Sequence, residues 1–438
     1  MRQKLAVLFQ TQSKLFSVSA AVGRESYELV VCGGGAGGAA VSSRHARKFG
    51  KGKVAVIEPS DDHFYQPMWT LVGGGMKTLE DSRRDMSWVL HPSVSWIKDS
   101  VAEFRPKDNV IVTKEGKEIG YEYLVVAIGI QLRYDLIKGL PEAFETPGVC
   151  SNYHRDYVTK TLRALQNFKT GNAIFTFPNT PIKCAGAPQK ICYITDEYLR
   201  QHNKREKAKI IYNTALPVIF GVKKYAESLR KVAASRNVEV NTSHVLTEVK
   251  PDSREAVFNV VDADGKPKEQ KTMQYEMLHV GAPCSGHEVM RRHPDIANAG
   301  GFLTVNKETL QHTKYPNIFG LGDCTDVPTA KTAAAVSAQS AVLYKNLLAL
   351  KDGKPLSPKY NGYTSCPLVT GYSKCILAEF DFNGQPLETF PIEQGVERRT
   401  MFHLKKDLMP TLYWHGLVKG HWNGPDVSRK ILHAGFSR

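Results

Sequence analysis

Short apolar runs alternate along the chain with longer segments in which apolar residues recur every three or four positions. The first run, residues 29–32, is followed by a glycine turn, a helix predicted over about 36–49 and a second apolar run over 54–57. This alternation indicates an α/β fold. Further strands are predicted at 94–101, 110–113, 119–123, 123–129, 171–177, 209–213, 238–240, 256–261, 277–280, 317–323 and 376–380. Residues 70–75 are predicted to form a turn, and further helices are predicted at about 189–200, within 218–236 and at 333–350.

The glycine turn has the spacing of a dinucleotide-binding site. Gly33 permits a tight turn, Gly35 lets backbone approach a pyrophosphate, and Gly38 lets the helix pack closely on the strand. The helix N-terminus offers unpaired N–H groups and a positive dipole end to the phosphates. Glu58 follows the second strand, where a carboxylate accepts hydrogen bonds from a ribose. The sequence therefore predicts a bound dinucleotide, and does not by itself say which one.

The order of the elements predicts that one Rossmann-like domain is interrupted by a second. The expected parts are a leader at 1–24, a first dinucleotide domain at 25–150 and 291–355, an inserted Rossmann-like domain at 151–290, and a C-terminal region at 356–438.

Charge and composition limit the possible partners. Lysine and arginine number 58 against 43 acids, a net charge of +15, which suits an anionic membrane surface or an anionic substrate. No basic run is interleaved with aromatic residues, so no nucleic-acid partner is predicted. No cysteine or histidine spacing is typical of a metal site, so no metal is predicted.

The N-terminal residues 1–24 are basic, rich in serine and leucine, and free of acids. This composition is typical of a mitochondrial transit peptide; a secretory signal and a disordered tail are the alternatives. No run of eighteen apolar residues occurs, so no transmembrane helix is predicted.

The inserted domain lacks the second glycine pattern that a pyridine-nucleotide site requires. Its first strand runs into residues 178–188, which contain Pro178, Pro181 and Pro188 and no Gly-x-Gly. Proline has no N–H to offer a phosphate, and the next strand ends in Asn213 rather than in a carboxylate. We infer that this domain does not bind NAD(P)H, so electrons must reach the cofactor from another donor.

Two of the eight cysteines have a reactive context. Cys184 follows Lys183 at the start of a predicted helix, and both a cation and a helix N-terminus lower a thiol pKa. Cys366 lies in a predicted loop after the last long helix, and folding can bring it to the same place. Cys324 stays open. The others, Cys32, Cys150, Cys192, Cys284 and Cys375, are predicted to be buried and inert.

Three places resemble the flavoproteins with two dinucleotide-binding domains: the glycine turn with Glu58, the turn at residues 127–129, and Gly322-Asp323. The resemblance implies that Asp323 hydrogen-bonds the ribityl chain of FAD. It also implies that the following helix points its N-terminus, residues 331–334, at the flavin.

The segments 63–67, 177–188 and 363–372 resemble the mitochondrial type of the sulfide:quinone oxidoreductase family. The resemblance implies FAD, hydrogen sulfide as donor, ubiquinone as acceptor, and glutathione or sulfite as the sulfur acceptor. It implies catalysis by Cys184, which carries a persulfide, and Cys366. The predicted cofactor-binding residues are Gly33, Gly35, Ala36, Gly37, Gly38, Glu58, Gln66, Val101, Gly129, Asp323, Lys331, Thr332, Ala333 and Ala334. The implied location is the mitochondrial inner membrane.

Residues 404–422 mix Leu, Met, Tyr and Trp with lysines, and Pro410 is expected to break them. This pattern is typical of an interfacial segment and predicts a monotopic protein whose quinone site opens on the membrane. The alternative is a C-terminal helix packed on the core. Lys183, Lys190 and Lys405 are candidates to attract anionic sulfur species, or else ordinary surface charges.

Two other functions remain open at this point. A type II NADH:quinone oxidoreductase would use the same scaffold with a different donor. A flavoprotein that serves as a redox or interaction module, without turnover, would keep the scaffold and lose the chemistry.

Overall fold

In the computed structural model, which describes residues 24–434, strands and helices alternate as the sequence predicts, and the α/β fold class is confirmed. The predicted leader at 1–24 lies, apart from Arg24, outside the described residues. The first part of the chain contains strands β1 Glu25–Cys32, β2 Val54–Ile57, β3 Asp62–Phe64, β4 Arg83–Asp85, β5 Val94–Ile97, β6 Val101–Arg105, β7 Val110–Thr113 and β8 Glu118–Val126, and helices α1 Ala36–Phe49, α2 Trp69–Gly73 and α3 Met86–Val89.

The middle part contains a longer series of elements. Its strands are β9 Gln131–Leu132, β10 Val149–Cys150, β11 Gly171–Phe177, β12 Ala208–Thr214, β13 Val238–Asn241, β14 His244–Lys250, β15 Glu255–Val261, β16 Pro267–Gln274, β17 Met277–His279 and β18 Cys284–Ser285. Its helices are α4 Arg155–Asn167, α5 Ala187–Gln201, α6 Lys223–Ser235 and α7 Glu288–Arg291.

The last part adds strands β19 Ile318–Gly320, β20 Thr364–Val369 and β21 Cys375–Phe380, and helices α8 Ala333–Lys351, α9 Arg399–His403, α10 Met409–Thr411 and α11 Asp426–Leu432. Two π-helical turns, Leu404–Leu408 and Leu412–Leu417, flank α10, so the chain stays helical from α9 onward through Pro410. The expected break at Pro410 is therefore wrong. Pro410 is the second residue of α10, which directly follows the π-helical turn Leu404–Leu408, and the helical run continues past it.

The largest sheet has seven strands in the order β5-β2-β1-β8-β7-β6, with β19 beside the second half of β8. β1 is parallel to both β2 and β8, and β19 is parallel to β8. Residues 29–32 and 54–57 are buried, as expected of parallel strands covered on both faces. Because β19 follows the whole middle part in sequence, this sheet is assembled from two separated stretches of chain.

The second parallel sheet has the order β10-β17-β11-β12-β13, and α5 and α6 pack against it. A separate antiparallel sheet, β14-β15-β16, completes the middle part. The sequence analysis missed β14 and β16. The reason is clearest for β16, which is almost wholly polar and exposed, so it carries no apolar pattern to detect.

Four further expectations are corrected by the structure. Residues 69–73 form helix α2 with every side chain buried, so 70–75 is not a simple turn. The predicted strand 94–101 is two strands, β5 and β6, whereas 119–123 and 123–129 are one strand, β8. Cys366 lies within strand β20 and not in a loop.

No helix among residues 24–434 combines the length and the apolarity that crossing a bilayer requires.

Substituting Gly38 should destabilise the fold far more than substituting Gly35. A Cβ on Gly38 would overlap the backbone carbonyl of Gly33, which cannot move without shifting β1, whereas a Cβ on Gly35 meets nothing within 4 Å. We expect Gly38→Ala to lower the free energy of unfolding by about 2 kcal/mol or more. Gly35→Ala, at the N-cap of α1, should cost about 1 kcal/mol or less. Denaturant unfolding of the ligand-free protein measures both, and equal losses would contradict this account of the turn.

Candidate functional site

A cavity of about 580 Å³ lies where the two parallel sheets and the C-terminal helical segment meet. Its volume is in the range of sites that bind cofactors and substrates. Its walls come from the glycine turn after β1, the start of α5, the start of α8, strand β20 and the helical segment after α9. Within residues 24–434, no group of three acidic, histidine or cysteine side chains is arranged to hold a metal ion.

The glycine turn presents the N-terminus of α1 to this cavity. Gly33 has φ +97°, and Gly38 contacts the Gly33 carbonyl so closely that only hydrogen fits. Gly35 faces open space, so a phosphate has room next to the N–H groups of the first turn. This arrangement fits a pyrophosphate.

Glu58 lies beside the turn with both oxygens held in place. Its Oε2 accepts a hydrogen bond from the Gly34 N–H at 2.7 Å, and its Oε1 accepts one from the Ser60 N–H at 2.8 Å. Burial raises the pKa of Glu58, and the two backbone donors oppose this effect. Because a carboxylate has about four acceptor positions, lone pairs remain for a ribose diol.

The start of α8 forms the next part of the cavity wall. The Asp323 carboxylate lines the cavity, and no hydrogen bond to its oxygens occurs among residues 24–434, so it is available to a ligand hydroxyl. Lys331 donates from Nζ to the Asp323 carbonyl oxygen at 2.8 Å. Burial raises the pKa of Asp323, against the effect of the nearby Lys331. Thr332 caps α8 by accepting a hydrogen bond from the Ala335 N–H at 3.0 Å.

Most of the sequence-predicted cofactor residues lie together. Those that line the cavity are Gly33, Gly35, Ala36, Gly37, Glu58, Gln66, Gly129, Asp323, Lys331, Thr332, Ala333 and Ala334. Gly38 does not line it, because it packs under the turn. Val101 is not in the lining either: it is the half-buried first residue of β6. The predicted contact of Val101 therefore has no geometric support.

Cys184 and Cys366 both line the cavity wall, and each thiol shifts the pKa of the other, so the two sulfurs are near neighbours. Cys184 has φ +50°, a left-handed conformation that is uncommon for a residue with a side chain. Its backbone holds it there: its N–H donates to the Lys331 carbonyl oxygen at 2.9 Å, and its own carbonyl accepts from the Tyr153 hydroxyl at 3.1 Å.

Cys366 is buried in strand β20 and its sulfur lies against the start of α5. A Cβ on Gly186, the residue before α5, would lie 2.5 Å from the Cys366 sulfur, so only glycine fits there. In the connection from β11 to α5, the helix N-terminus therefore faces a sulfur atom.

Two buried lysines surround the sulfur pair. Lys190 is 2% exposed, and its Nζ donates to the Cys184 sulfur at 3.3 Å. Lys405, in the first π-helical turn, is also 2% exposed and donates to the Pro67 carbonyl oxygen at 2.9 Å. The alternative that these two are ordinary surface charges is wrong. Lys183 differs, because it reaches Gln66 Oε1 at 2.7 Å near the cavity opening and is partly exposed.

The lysines and the second thiol favour an anionic Cys184. Its pKa is held well below the ordinary value by the hydrogen bond from Cys366 and by the positive charges of Lys190 and Lys405. The Cys366 pKa is raised well above the ordinary value, because its proton is shared with Cys184 and because it is buried. Burial lowers the pKa of Lys405 to about 8, aided by repulsion from Lys190. These opposite shifts of the two pKa values favour Cys184 over Cys366 as the thiol that loses its proton.

The C-terminal helical segment closes the cavity with side chains that the sequence analysis did not single out. His63 donates from Nδ1 to the Gly34 carbonyl oxygen at 3.1 Å and accepts from the Tyr413 hydroxyl at 2.6 Å. Burial lowers the pKa of His63 to about 4, which keeps the ring neutral in this role. His63, Tyr153 and Tyr413 are far apart in sequence, so no local pattern could reveal their contacts. Of the three, only His63 lies in a segment, 63–67, that the family resemblance had drawn attention to.

The alternative that residues 404–422 form a helix packed on the core holds for part of them. Tyr413, Trp414, Leu417 and Val418 are buried in the core of the first sheet, whereas Leu408 is half exposed. The remaining predicted structural cysteines, and Cys324, are buried, and burial raises the pKa of each.

Comparison with known proteins identifies relatives over most of the chain. The family described as pyridine nucleotide-disulphide oxidoreductase matches residues 27–170. A mouse protein named mitochondrial sulfide:quinone oxidoreductase is 54% identical over 94% of this chain and 91% of its own length. A Dictyostelium discoideum protein of the same name is 47% identical over 91% of this chain and 88% of its own.

Solved structures share the fold. The sulfide:quinone oxidoreductase of Aquifex aeolicus superposes with a TM-score of 0.75 at 20% identity, over 94% of this chain and 95% of that one. A chain from the Tetrahymena thermophila mitochondrial ATP synthase reaches 0.80 at 23% identity, over 92% of this chain and 99% of that one. At these identities the structures show the fold alone. The family follows from the relatives at 54% and 47%: this chain belongs to the sulfide:quinone oxidoreductase family, whose members are FAD-dependent flavoproteins.

Proposed function

We propose that this chain oxidises hydrogen sulfide at Cys184 and Cys366 and passes the electrons through FAD to ubiquinone. The observation that carries the proposal is that both cysteines line one wall of a cavity whose other walls suit FAD, close enough for each thiol to shift the pKa of the other. When bound, FAD accepts an electron pair and gives it to a quinone. The relatives' names, which state sulfide and quinone, support the same reaction.

We propose that the cofactor contacts follow the cavity from the glycine turn to the start of α8. The N–H groups at Ala36 and Gly37 would hold the pyrophosphate, and Glu58 the adenosine ribose. Asp323 would accept from the ribityl chain with its unpartnered carboxylate. The capped N-terminus of α8 at Thr332 would stabilise negative charge at the flavin. In this proposal the first domain is formed by 25–150 and 291–355, and 151–290 is the inserted domain.

Sulfide enters the proposed reaction as the hydrosulfide anion, which attacks a disulfide between Cys184 and Cys366. The new bond joins its sulfur to Cys184, the bond between the two cysteines breaks, and Cys366 leaves as a thiolate. Cys184 then carries a persulfide. Once its outer sulfur has left, the Cys184 and Cys366 thiolates re-form their disulfide, and the electron pair released would go to bound FAD. The sulfur of sulfide has lost two electrons, which go to the cofactor.

The buried lysines suit this chemistry because two of the proposed species on Cys184, the thiolate and the deprotonated persulfide, are anions. Lys190 donates to that sulfur at 3.3 Å, and Lys405 adds a second positive charge nearby. In a site with little water, such charges stabilise a thiolate or persulfide anion more than they would at the surface.

The sulfane sulfur passes from Cys184 to a small acceptor, glutathione or sulfite. With glutathione, hydrogen sulfide, the thiol and the quinone yield glutathione persulfide and the quinol. With sulfite the sulfur product is thiosulfate. In both cases sulfide supplies two electrons and the quinone accepts them together with two protons. Lys183, partly exposed beside Cys184, is suited to attract either anionic acceptor.

The quinone would reach the flavin beside the C-terminal helical segment. Met409, Leu412 and Leu417 line the cavity there, and Leu408 on the same segment is half exposed. An apolar wall next to an exposed apolar residue suits a ligand that enters from a bilayer. We propose a monotopic protein of the mitochondrial inner membrane, since the relatives are named mitochondrial.

Anaerobic titration of the FAD-loaded protein tests the reaction. Stoichiometric sulfide should bleach the flavin absorbance near 450 nm (roughly, the oxidised-flavin band), and a short-chain quinone should restore it. NADH should leave the spectrum unchanged, since prolines interrupt the loop where its phosphates would bind. Bleaching by NADH alone would favour a type II NADH:quinone oxidoreductase. No bleaching by either donor would favour a module without turnover.

Each active-site cysteine should be indispensable for turnover and unnecessary for cofactor binding. We expect Cys184→Ser and Cys366→Ser to lower sulfide-dependent quinone reduction by at least about a thousandfold, because each removes one partner of the disulfide. The absorbance of bound FAD should remain. Cys192→Ala is the matched control, since Cys192 is buried on α5 and faces the core. Near-normal rates in either serine variant would exclude the proposed mechanism.

The reduced protein should have a Cys184 thiolate at unusually low pH. Its pKa is depressed, so the anion is present above that value and is lost only as the pH falls through it. Alkylation of Cys184 by iodoacetamide, followed by peptide mapping, should therefore continue below the range of an ordinary thiol. Lys190→Gln removes a hydrogen bond and a charge and should move the profile to higher pH. Lys231→Gln, an exposed lysine on α6, should leave the profile unchanged; an unmoved profile in Lys190→Gln would reject the role of Lys190.

A further inference from the structure

The outer side of the C-terminal segment carries positive charges that surround an exposed tryptophan. We call this surface the Trp88 patch, and its members are Arg44, Arg47, Trp88, His415, Lys419 and His421. Trp88 is 40% exposed. The Nζ of Lys419 lies 3.9 Å from the centre of the Trp88 ring and donates to the Trp88 and Val89 carbonyl oxygens. The ring of His415 is 6.0 Å from that of Trp88.

Helix α1 supplies the other cations and is fastened to the same segment. Ser43 donates from Oγ to the Val418 carbonyl oxygen at 2.9 Å, and Arg44 donates from Nε to the Gly420 carbonyl oxygen at 2.9 Å. Arg47, in the last turn of α1, has its guanidinium beside Gly420, where a Cβ would lie 2.9 Å from Nη2. The patch is therefore one continuous surface made by two parts of the chain that are held together.

The charges of this surface are not balanced by acids. Among residues 24–434, Arg44, Arg47 and Lys419 form no ion pair, although many other lysines and arginines do. These cations also disfavour the protonated form of two neighbouring histidines. The pKa of His421 is lowered by burial and then by Arg47 and Arg44. The pKa of His91 is lowered by burial and then by Arg47 and Lys419. Such a surface attracts an anionic partner.

The inner side of the same segment lines the cavity. Tyr413, Leu417 and Trp422 face the cavity, while His415, Lys419 and His421 belong to the patch. A partner bound to the patch would therefore lie next to the proposed quinone site, on the other side of the same helical segment.

We propose that the Trp88 patch binds the anionic headgroups of a lipid bilayer, which seats the cavity mouth on the membrane; this rests on the proposed membrane-bound quinone reaction. An indole next to an ammonium group suits the boundary between hydrocarbon and headgroups, where tryptophan collects. Unpaired arginine and lysine then lie at the level of the lipid phosphates, where each contributes about a fivefold gain in binding to an anionic surface.

Sedimentation of the FAD-loaded protein with vesicles tests this proposal. Wild type should bind vesicles of phosphatidylcholine with about one third phosphatidylglycerol more tightly than pure phosphatidylcholine, and high salt should remove the difference. Arg47→Gln combined with Lys419→Gln should weaken binding to the anionic vesicles about 25-fold, at two fivefold losses. Arg47→Gln alone, an exposed change, should weaken it about fivefold.

The matched control is Lys266→Gln combined with Lys268→Gln, two exposed lysines without ion pairs at the start of β16, away from the patch. This pair removes the same charge and should leave vesicle binding unchanged. The proposal is overturned if wild type binds both vesicles equally, or if the control loses as much binding as the patch variant. Sulfide-dependent reduction of a water-soluble quinone by wild type, without vesicles, is measured separately: its absence contradicts the proposed function, and its presence without lipid selectivity contradicts only the patch.

Discussion

The close approach of Cys184, Cys366 and two buried lysines organises the charged interior of this protein. Burying a charged lysine costs on the order of several kcal/mol unless an opposite charge lies close by. Lys190 and Lys405 are both 2% exposed, and the negative charge that offsets them is on Cys184. The charge on Cys184 exists because the Cys366 S–H and the lysines stabilise it. Each part of this cluster is thus stable only with the others present.

The helical segment after α9 shows how backbone geometry serves this cluster. π-helical turns are rare and concentrate at functional sites. Here the first of them carries Lys405, whose Nζ donates to the Pro67 carbonyl oxygen inside the protein, while Leu408, three residues on, is half exposed. The second carries Tyr413, which fixes His63 against the glycine turn. The segment therefore ties together the sulfur cluster, the dinucleotide turn and the outer surface.

The sequence predicted those features that depend on short-range patterns. Strand β2 and helix α1 have the predicted bounds, because apolar runs, the glycine spacing and the position of Glu58 are all local signals. The strand that holds Cys366 was predicted as a loop: Pro367 lies within it, and its pairing with β21, itself predicted as a strand at 376–380, is known only from the fold. The contact of Val101 with the cofactor was carried over from a resemblance rather than read from a local pattern; Val101 is not in the cavity lining, and the contact stays a prediction. The hydrogen bonds from Tyr153 to Cys184 and from Tyr413 to His63 join distant parts of the chain, so they could be found only in three dimensions.

The missing nucleotide site and the sulfur site are consequences of one local arrangement. In a nucleotide-binding unit, the N–H groups at the start of the helix after the first strand bind phosphates. Helix α5 occupies that position after β11, but the chain before it contains prolines, and Gly186 brings the helix start against the Cys366 sulfur. The positive end of α5 is then directed at sulfur, where it favours a negative charge by about 0.3–1 kcal/mol at an exposed site and more when buried. Phosphate and sulfur cannot occupy this position together. The contact between Gly186 and the Cys366 sulfur therefore leaves little room for a nucleotide phosphate at the start of α5, which is the basis for proposing a donor other than NAD(P)H.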